Sequence, residues 1–223
     1  MSRLLTRPRE ASSGEDERWA LIDRFAPGRS FTDVGCMWGV HGAYAFHAHA
    51  RGAVAVVGFD RAPATPEFLA RNAELGDPVR FVRGDVNAAG VEALLGRADV
   101  VFCSGVLYHM PNPVHTLGQL HRVCKQVLIL TSAIIPERAE PQAAIFFPYL
   151  DAEARRRLAF RGKGLRRGLD TEFAPEKEYG NWFWGLTPSC IRAMLRTAGF
   201  EVLEAYEREG RFTAVCGPAE AKG

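Results

Sequence analysis

The sequence predicts an α/β fold on a mostly parallel sheet, and three observations carry that prediction. Five short apolar runs alternate with helical segments between Ser30 and Ile134, the pattern of right-handed βαβ units. The runs are nearly continuously apolar, as expected of strands covered on both faces. The chain then closes with two strand-like segments around Gly210, close enough together to form an antiparallel hairpin.

In chain order, the first dozen residues are polar and predict a frayed start. "EDERWALIDRF" predicts a helix with Trp19, Ile22 and Phe25 at helical spacing, stopped by Pro27 and Gly28. "SFTDVG" is the first strand, and Gly39 to Ala50 the first crossover helix. "AVAVVGFD" is the second strand, followed by a helix from Pro66 to Leu75. "VRFVRGD" and "ADVVFCSG" are strands three and four, with "AAGVEALLG" helical between them. Pro113 to Cys124 is a helix and "QVLILTSAI" the fifth strand. The alternation fails over residues 136–187, which hold aromatic clusters and an arginine run. Order resumes with a helix from Pro188 to Thr197, ended by Gly199, and the terminal hairpin follows. The reading is one domain over residues 1–223 with an insertion at 136–187.

Composition narrows the function. With 223 residues and 47% hydrophobic content, the chain can bury one substantial core. A net charge of +2 gives no support to a nucleic-acid surface. Five scattered cysteines without CxxC spacing predict neither a disulfide framework nor a zinc site, and fit a reducing cytosol. The histidines show no ligand spacing, so no metal is expected. No run has signal-peptide or membrane-spanning character, so the expected location is cytoplasmic.

The chemistry lies in "FTDVGCMWGVHG". A strand that breaks at Gly35 and resumes as a helix after Gly39 lets a ligand approach the backbone closely. It is not a P-loop, which needs GxxxxGK[ST]. Nor is it the GxGxxG of dinucleotide sites, because Met37 stands where the second glycine would be. Asp60 nevertheless ends the second strand, where a carboxylate accepts from both ribose hydroxyls. Asp85, in "RGDV", ends the third strand, where it can accept from an exocyclic adenine amine beside the backbone of Val86. The set suits an adenosine carrying an amino-acid tail in place of a pyrophosphate.

"DVGCMWG", "GFD", "RGDV" and "CSGVLYHMPNP", in that order, resemble the class I S-adenosylmethionine-dependent methyltransferases over roughly residues 31–132 and the terminal hairpin. The resemblance implies a Rossmann-like, doubly wound sheet of seven strands with the last antiparallel. It implies S-adenosylmethionine as cofactor, with Asp33, Gly35, Cys36 and Gly39 at the methionine end, Asp60 and Arg61 at the ribose, and Asp85 and Val86 at the adenine. Ser104, ending strand four, would face the sulfonium. "GVLYHMPNP" and "NWFWGLTPSCIRAMLRTAGF" are similar to a subgroup containing wobble-uridine tRNA and small-molecule methyltransferases.

Methyl transfer from a sulfonium needs mainly in-line positioning. A base helps when the acceptor sheds a proton, and His109 is the candidate catalytic residue; its alternative is a structural role. Tyr108, Trp182 and Trp184 are candidates to hold the acceptor under the insertion, since pockets are lined largely by aromatics. Three adjacent aromatics, Trp182, Phe183 and Trp184, cannot all share one face of an element, and core packing is the alternative. Seven cations lie between Arg155 and Arg167; a solvated face is the plain reading and an RNA contact the functional one. Strand four lacks the Asn/Asp-Pro-Pro-aromatic signature that resembles amino-nucleobase enzymes. The expected partner is a small-molecule acceptor of oxygen or nitrogen type. A tRNA and a non-methylating cofactor-binding protein remain the other readings.

Overall fold

The computed structural model describes residues 16–158, 172–208 and 210–219. The start of the chain and the part of the arginine run beyond Leu158 lie outside the described residues. The elements are α1 (Glu17–Phe25), β1 (Ser30–Val34), α2 (Ala43–Ala50), β2 (Ala55–Asp60), α3 (Pro66–Glu74), β3 (Val79–Arg83), α4 (Val91–Leu95) and β4 (Ala98–Ser104). A 3-10 turn at Leu107–His109 leads to α5 (Pro113–Val123) and β5 (Cys124–Ala133). The insertion holds β6 (Ala144–Phe146), α6 (Ala152–Arg157), a 3-10 segment at Pro175–Gly180 and β7 (Trp184–Leu186). Helix α7 (Pro188–Thr197), β8 (Phe200–Arg208) and β9 (Arg211–Pro218) complete the order.

Seven strands form one sheet in the order β3-β2-β1-β4-β5-β9-β8. Strands β1 to β5 pair in parallel, and β9 runs antiparallel to both β5 and β8. The predicted α/β class, strand count and antiparallel last strand are all present. Side chains alternate across the sheet as the strand period of two requires. Val34, Phe59, Val101 and Leu128 pack with α5 and α7 through Leu120 and Ile191. Phe31, Val56, Phe102 and Ile129 pack on the opposite side with α1, α2 and α3 through Ile22, Phe46 and Phe68. Three helices share a starting device. Thr65, Asn112 and Thr187 each accept a backbone N–H with a side-chain oxygen, and each precedes a proline at the first helical position.

Two elements differ from the sequence reading. Helix α2 starts at Ala43 and not at Gly39, because Gly39, His41 and Gly42 all have positive φ and hold the chain in a loop. The insertion contains a small antiparallel ribbon, with Phe146 opposite Trp184. Its strands of three residues lie about 40 positions apart, too short and too distant to register as alternation. Behind the ribbon, Ile135 and Phe147 form a small core with Ile145, Leu150 and Trp182.

Candidate active site

The strand order reverses between β1 and β4, so the loops leaving their C-terminal ends diverge and open a crevice. The loop after β1 is held by backbone bonds, to β2 and within itself. Gly35, at φ 83°, donates to the Phe59 carbonyl at 2.8 Å, and Gly42 donates to the Cys36 carbonyl at 2.7 Å. A Cβ on Gly35 would collide with Val106 of the loop after β4, so the two loops meet through that glycine. Asp60 ties the loop to β2. Its Oδ2 accepts from Met37 N–H and its Oδ1 from Ala62 N–H, both at 2.8 Å. A carboxylate has about four lone-pair positions, so each oxygen can accept once more.

Asp85 holds its own loop in the same way, with Oδ1 accepting from Asn87 N–H at 2.8 Å. Val86 is buried beside it. Asp33, on β1 beside Gly58 of β2 and Phe102 of β4, is only 1% exposed. Its Oδ2 has no hydrogen-bond partner. Burial, then the nearby Asp60 charge, push its carboxyl up to about 8, against a smaller opposing hydrogen bond from the Ala45 backbone. A cation placed there would reverse that effect. Cys36 lies against the core: its Sγ packs toward Gly58, so its backbone alone faces the loop.

On the other side of the crevice, the 3-10 turn carries Tyr108 and His109. The Tyr108 and Trp182 rings lie 4.1 Å apart, and His109 meets Trp182 edge-on at 5.4 Å. His109 Nδ1 lies 2.7 Å from the Asn181 carbonyl, to which it donates, so Nε2 is the nitrogen able to accept. Burial lowers the His109 pKa, and this carbonyl bond partly restores it. Phe183 N–H donates to the Tyr108 carbonyl at 2.9 Å, stitching the insertion to the turn. Trp184 takes another direction. Its Nε1 donates to the Pro111 carbonyl at 3.2 Å and its ring lies 4.9 Å from Phe146. Ser104 accepts from Arg18 Nη1 at 3.3 Å, while the Arg18 guanidinium stands 5.2 Å from the Tyr44 ring.

Residues 31–127 match the family model of a methyltransferase domain. Over 119 residues the chain is 34% identical to a tRNA U34 carboxymethyltransferase of Wolinella succinogenes, a match covering 48% of this chain. The chain spans only 40% of the length of that relative. Among solved structures it resembles magnesium protoporphyrin IX methyltransferase from Synechocystis PCC 6803 with bound SAH. That likeness has 18% identity and a TM-score of 0.57, over 90% of this chain and 79% of that one. It also resembles the Burkholderia thailandensis 1,6-didemethyltoxoflavin-N1-methyltransferase with bound 1,6-didemethyltoxoflavin and S-adenosylhomocysteine. There the identity is 15% and the TM-score 0.61, over 92% and 77% of the two chains. At these identities the likeness is one of fold.

The fold brings Asp33, Asp60 and Ser104, at the ends of β1, β2 and β4, and Gly35, Gly39, Arg61, Asp85 and Val86, on the loops after β1 to β3, to the same end of the sheet. Tyr108, His109 and Trp182 gather at one point, and Trp184 stands apart from their ring cluster. Sequence reasoning missed three residues. Arg18 gave no signal, because only the apolar spacing of α1 was informative. Asn181 and Tyr179 both lie in the aromatic-rich stretch "EYGNWFWGLTP", yet nothing local marks their partners. Asn181 is 2% exposed and clamps the insertion, its side chain accepting from Ala174 N–H at 2.9 Å and donating to the Ala174 carbonyl at 2.7 Å.

Proposed function

We propose that the protein transfers a methyl group from S-adenosylmethionine to oxygen or nitrogen of a small organic acceptor held beneath the 136–187 insertion. One observation carries the reading: the buried Asp33 oxygen without a partner, in a row of strand-end carboxylates with Asp60 and Asp85. An orphaned buried carboxylate oxygen is costly unless a ligand satisfies it. The ammonium of an amino-acid tail is such a ligand, and its charge suits the Asp33–Asp60 pair. Asp60 keeps acceptor capacity for two hydroxyls of a ribose, with Arg61 beside it, and Asp85 and the Val86 backbone take the adenine. The positive-φ turn at Gly35 and Gly39, with the Cys36 backbone, lets the tail lie against the chain.

When bound, the cofactor supplies a methyl group activated on a sulfonium. The protein's own work is then to orient the acceptor, exclude water and, where the acceptor loses a proton, receive it at His109 Nε2. The Tyr108 and Trp182 rings pack against the His109 ring, with centroids 4.4 and 5.4 Å away. The five free cysteines are all buried, which supports a cytoplasmic setting. Among the described residues no helix is long and apolar enough to cross a membrane. Incubation with methyl-labelled cofactor and pools of small hydroxyl- and amino-bearing compounds should move label into one class of acceptor. Binding of S-adenosylhomocysteine without any turnover across those pools would favour a cofactor-binding sensor instead.

Trp182→Ala is expected to raise the acceptor KM by roughly three- to tenfold, the worth of one aromatic stacking interaction, and to change kcat less. Steady-state kinetics with varied acceptor checks this; a fall confined to kcat would remove Trp182 from acceptor binding.

The similarity to the tRNA U34 carboxymethyltransferase favours a second reading, methylation of tRNA. Two arginines of the basic run speak against it, since Arg155 pairs with Glu172 at 2.8 Å and Arg157 with Glu153 at 3.0 Å. If RNA is the acceptor, neutralising Arg155, Arg156 and Arg157 should flatten the salt dependence of tRNA binding by about 0.7–0.9 for each phosphate no longer neutralised. Absence of tRNA binding by the parent protein at low salt would remove this reading.

A further inference from the structure

The 3-10 segment Pro175–Gly180 reaches back from the insertion across the loops after β1, β2 and β3. Glu178 forms an ion pair with Arg61, the residue after the ribose carboxylate. The Arg61 guanidinium stands 4.8 Å from the Tyr179 ring centroid. The Tyr179 hydroxyl donates to Asp85 Oδ2 at 2.9 Å and accepts from Asn87 Nδ2 at 3.2 Å. Gly180 lies beside Trp38, near enough that a Cβ there would stand 3.9 Å from its ring.

We infer that Tyr179 is an internal occupant of the adenine end of the cofactor site, a gate that the cofactor's base must displace. The inference rests on the assignment of Asp60 and Asp85 to the cofactor. An adenine needs a surface to stack on and an acceptor for its exocyclic amine. Tyr179 supplies the same chemistry from within the chain: a flat ring against Arg61 and a donor at its tip, directed to Asp85. The oxygen it uses is Oδ2, because Oδ1 already closes the Asp85 loop on Asn87 N–H. The ribose end is treated differently. Both oxygens of Asp60 accept from backbone N–H groups of the neighbouring loops, and among the described residues the insertion donates no hydrogen bond to it.

The segment is built to release. The ion pair between Arg61 and Glu178 is exposed, 44% and 59% on the two side chains, and such pairs hold weakly. Glu178 itself sits at φ 45° and ψ −120°, a strained conformation for a residue with a side chain. The base of the loop is fixed by contrast. Asn181 binds both the N–H and the carbonyl of Ala174, so residues 175–180 leave and rejoin the fold at one clamped point. Breaking the outer interactions with Arg61, Asp85 and Asn87 frees the Tyr179 hydroxyl and the Glu178 side chain, while Asn181 still holds the Glu178 carbonyl through its Nδ2 and its backbone N–H and keeps the clamp in place.

The test uses the full chain with S-adenosylhomocysteine as probe, by calorimetry and by stopped-flow fluorescence, for which Trp38 beside Gly180 is a reporter. Tyr179→Phe keeps the ring and removes the donor; it should bind the probe about two- to tenfold more tightly, the factor one net hydrogen bond is worth. Tyr179→Ala should bind at least as tightly as Tyr179→Phe, and Glu178→Ala should associate faster than the parent. Weaker or unchanged binding by both Tyr179 variants overturns the gate, making Tyr179 a wall of the pocket or a bystander. Asp60→Ala separates the gate from the cofactor site beneath it. If it loses the probe while the Tyr179 variants gain nothing, the cofactor assignment stands and the gate falls. If parent and Tyr179 variants alike fail to bind the probe, both fall.

Discussion

Asp60→Ala is expected to weaken S-adenosylhomocysteine binding by about 1.5–3 kcal/mol, the range for hydrogen bonds to a charged group. The loss has two sources. The carboxylate would no longer accept from ribose hydroxyls, and the Met37 and Ala62 N–H groups would lose their acceptor. Met37 lies in the loop that carries Gly35 and Gly39, so the methionine end of the site would also loosen. Asp60→Asn is the milder change at both sources, since one acceptor oxygen remains. Its amide keeps the shape but turns one acceptor into a donor facing a backbone N–H. The fold itself should survive, because Phe59 and the neighbouring strand residues keep their core packing. Circular dichroism on the variants checks that, and calorimetry gives the affinity. A folded Asp60→Ala protein with parental affinity would refute the ribose assignment.

The parallel sheet was legible because each of its signals is local. Strands β1 to β5 are short, largely apolar runs bounded by turn residues, the edge strand β3 alternating with arginines, and three helices begin at a capping residue followed by proline. The carboxylates Asp33, Asp60 and Asp85 were legible for a related reason: each sits at or near a strand end, and in a parallel sheet those ends meet at one edge. The insertion was not legible in the same way. Its ribbon joins residues 144–146 to 184–186, and its fixed point, Asn181, works through bonds to Ala174 and to His109 across 72 positions. Arg18 illustrates the same limit, meeting Ser104 across 86 positions of chain. Periodicity reports which face is buried. It carries no information on which distant polar group a side chain will meet. Cys36 shows the converse case, a residue placed correctly in its loop whose side chain is directed into the core.

His109→Ala is expected to lower turnover by about 10²–10⁴-fold with an acceptor that loses a proton, the usual contribution of a general base. The geometry favours that role. Nδ1 is engaged as a donor to the Asn181 carbonyl, which fixes the tautomer and leaves Nε2 to accept, beside Tyr108 and Trp182. Burial holds the pKa below its ordinary value, so the ring is neutral at pH 7. Turnover should therefore fall as pH drops below the lowered pKa of the folded protein. Stability has the same direction: the group's pKa is depressed on folding, so its contribution is complete above the unfolded value of about 6.5 and is lost as pH falls through the folded one. The alternative is that His109 only pins the insertion through Asn181. His109→Gln distinguishes them, because its amide can donate to the same carbonyl but cannot serve as a base near neutral pH. A pin predicts that Gln restores both the melting temperature and turnover. A base predicts that Gln restores the melting temperature alone, while cofactor affinity, set by carboxylates on other loops, stays near parental in all three proteins. Turnover of folded His109→Gln close to the parent's between pH 6 and 8 would end the general-base role and leave acceptor positioning as the source of rate.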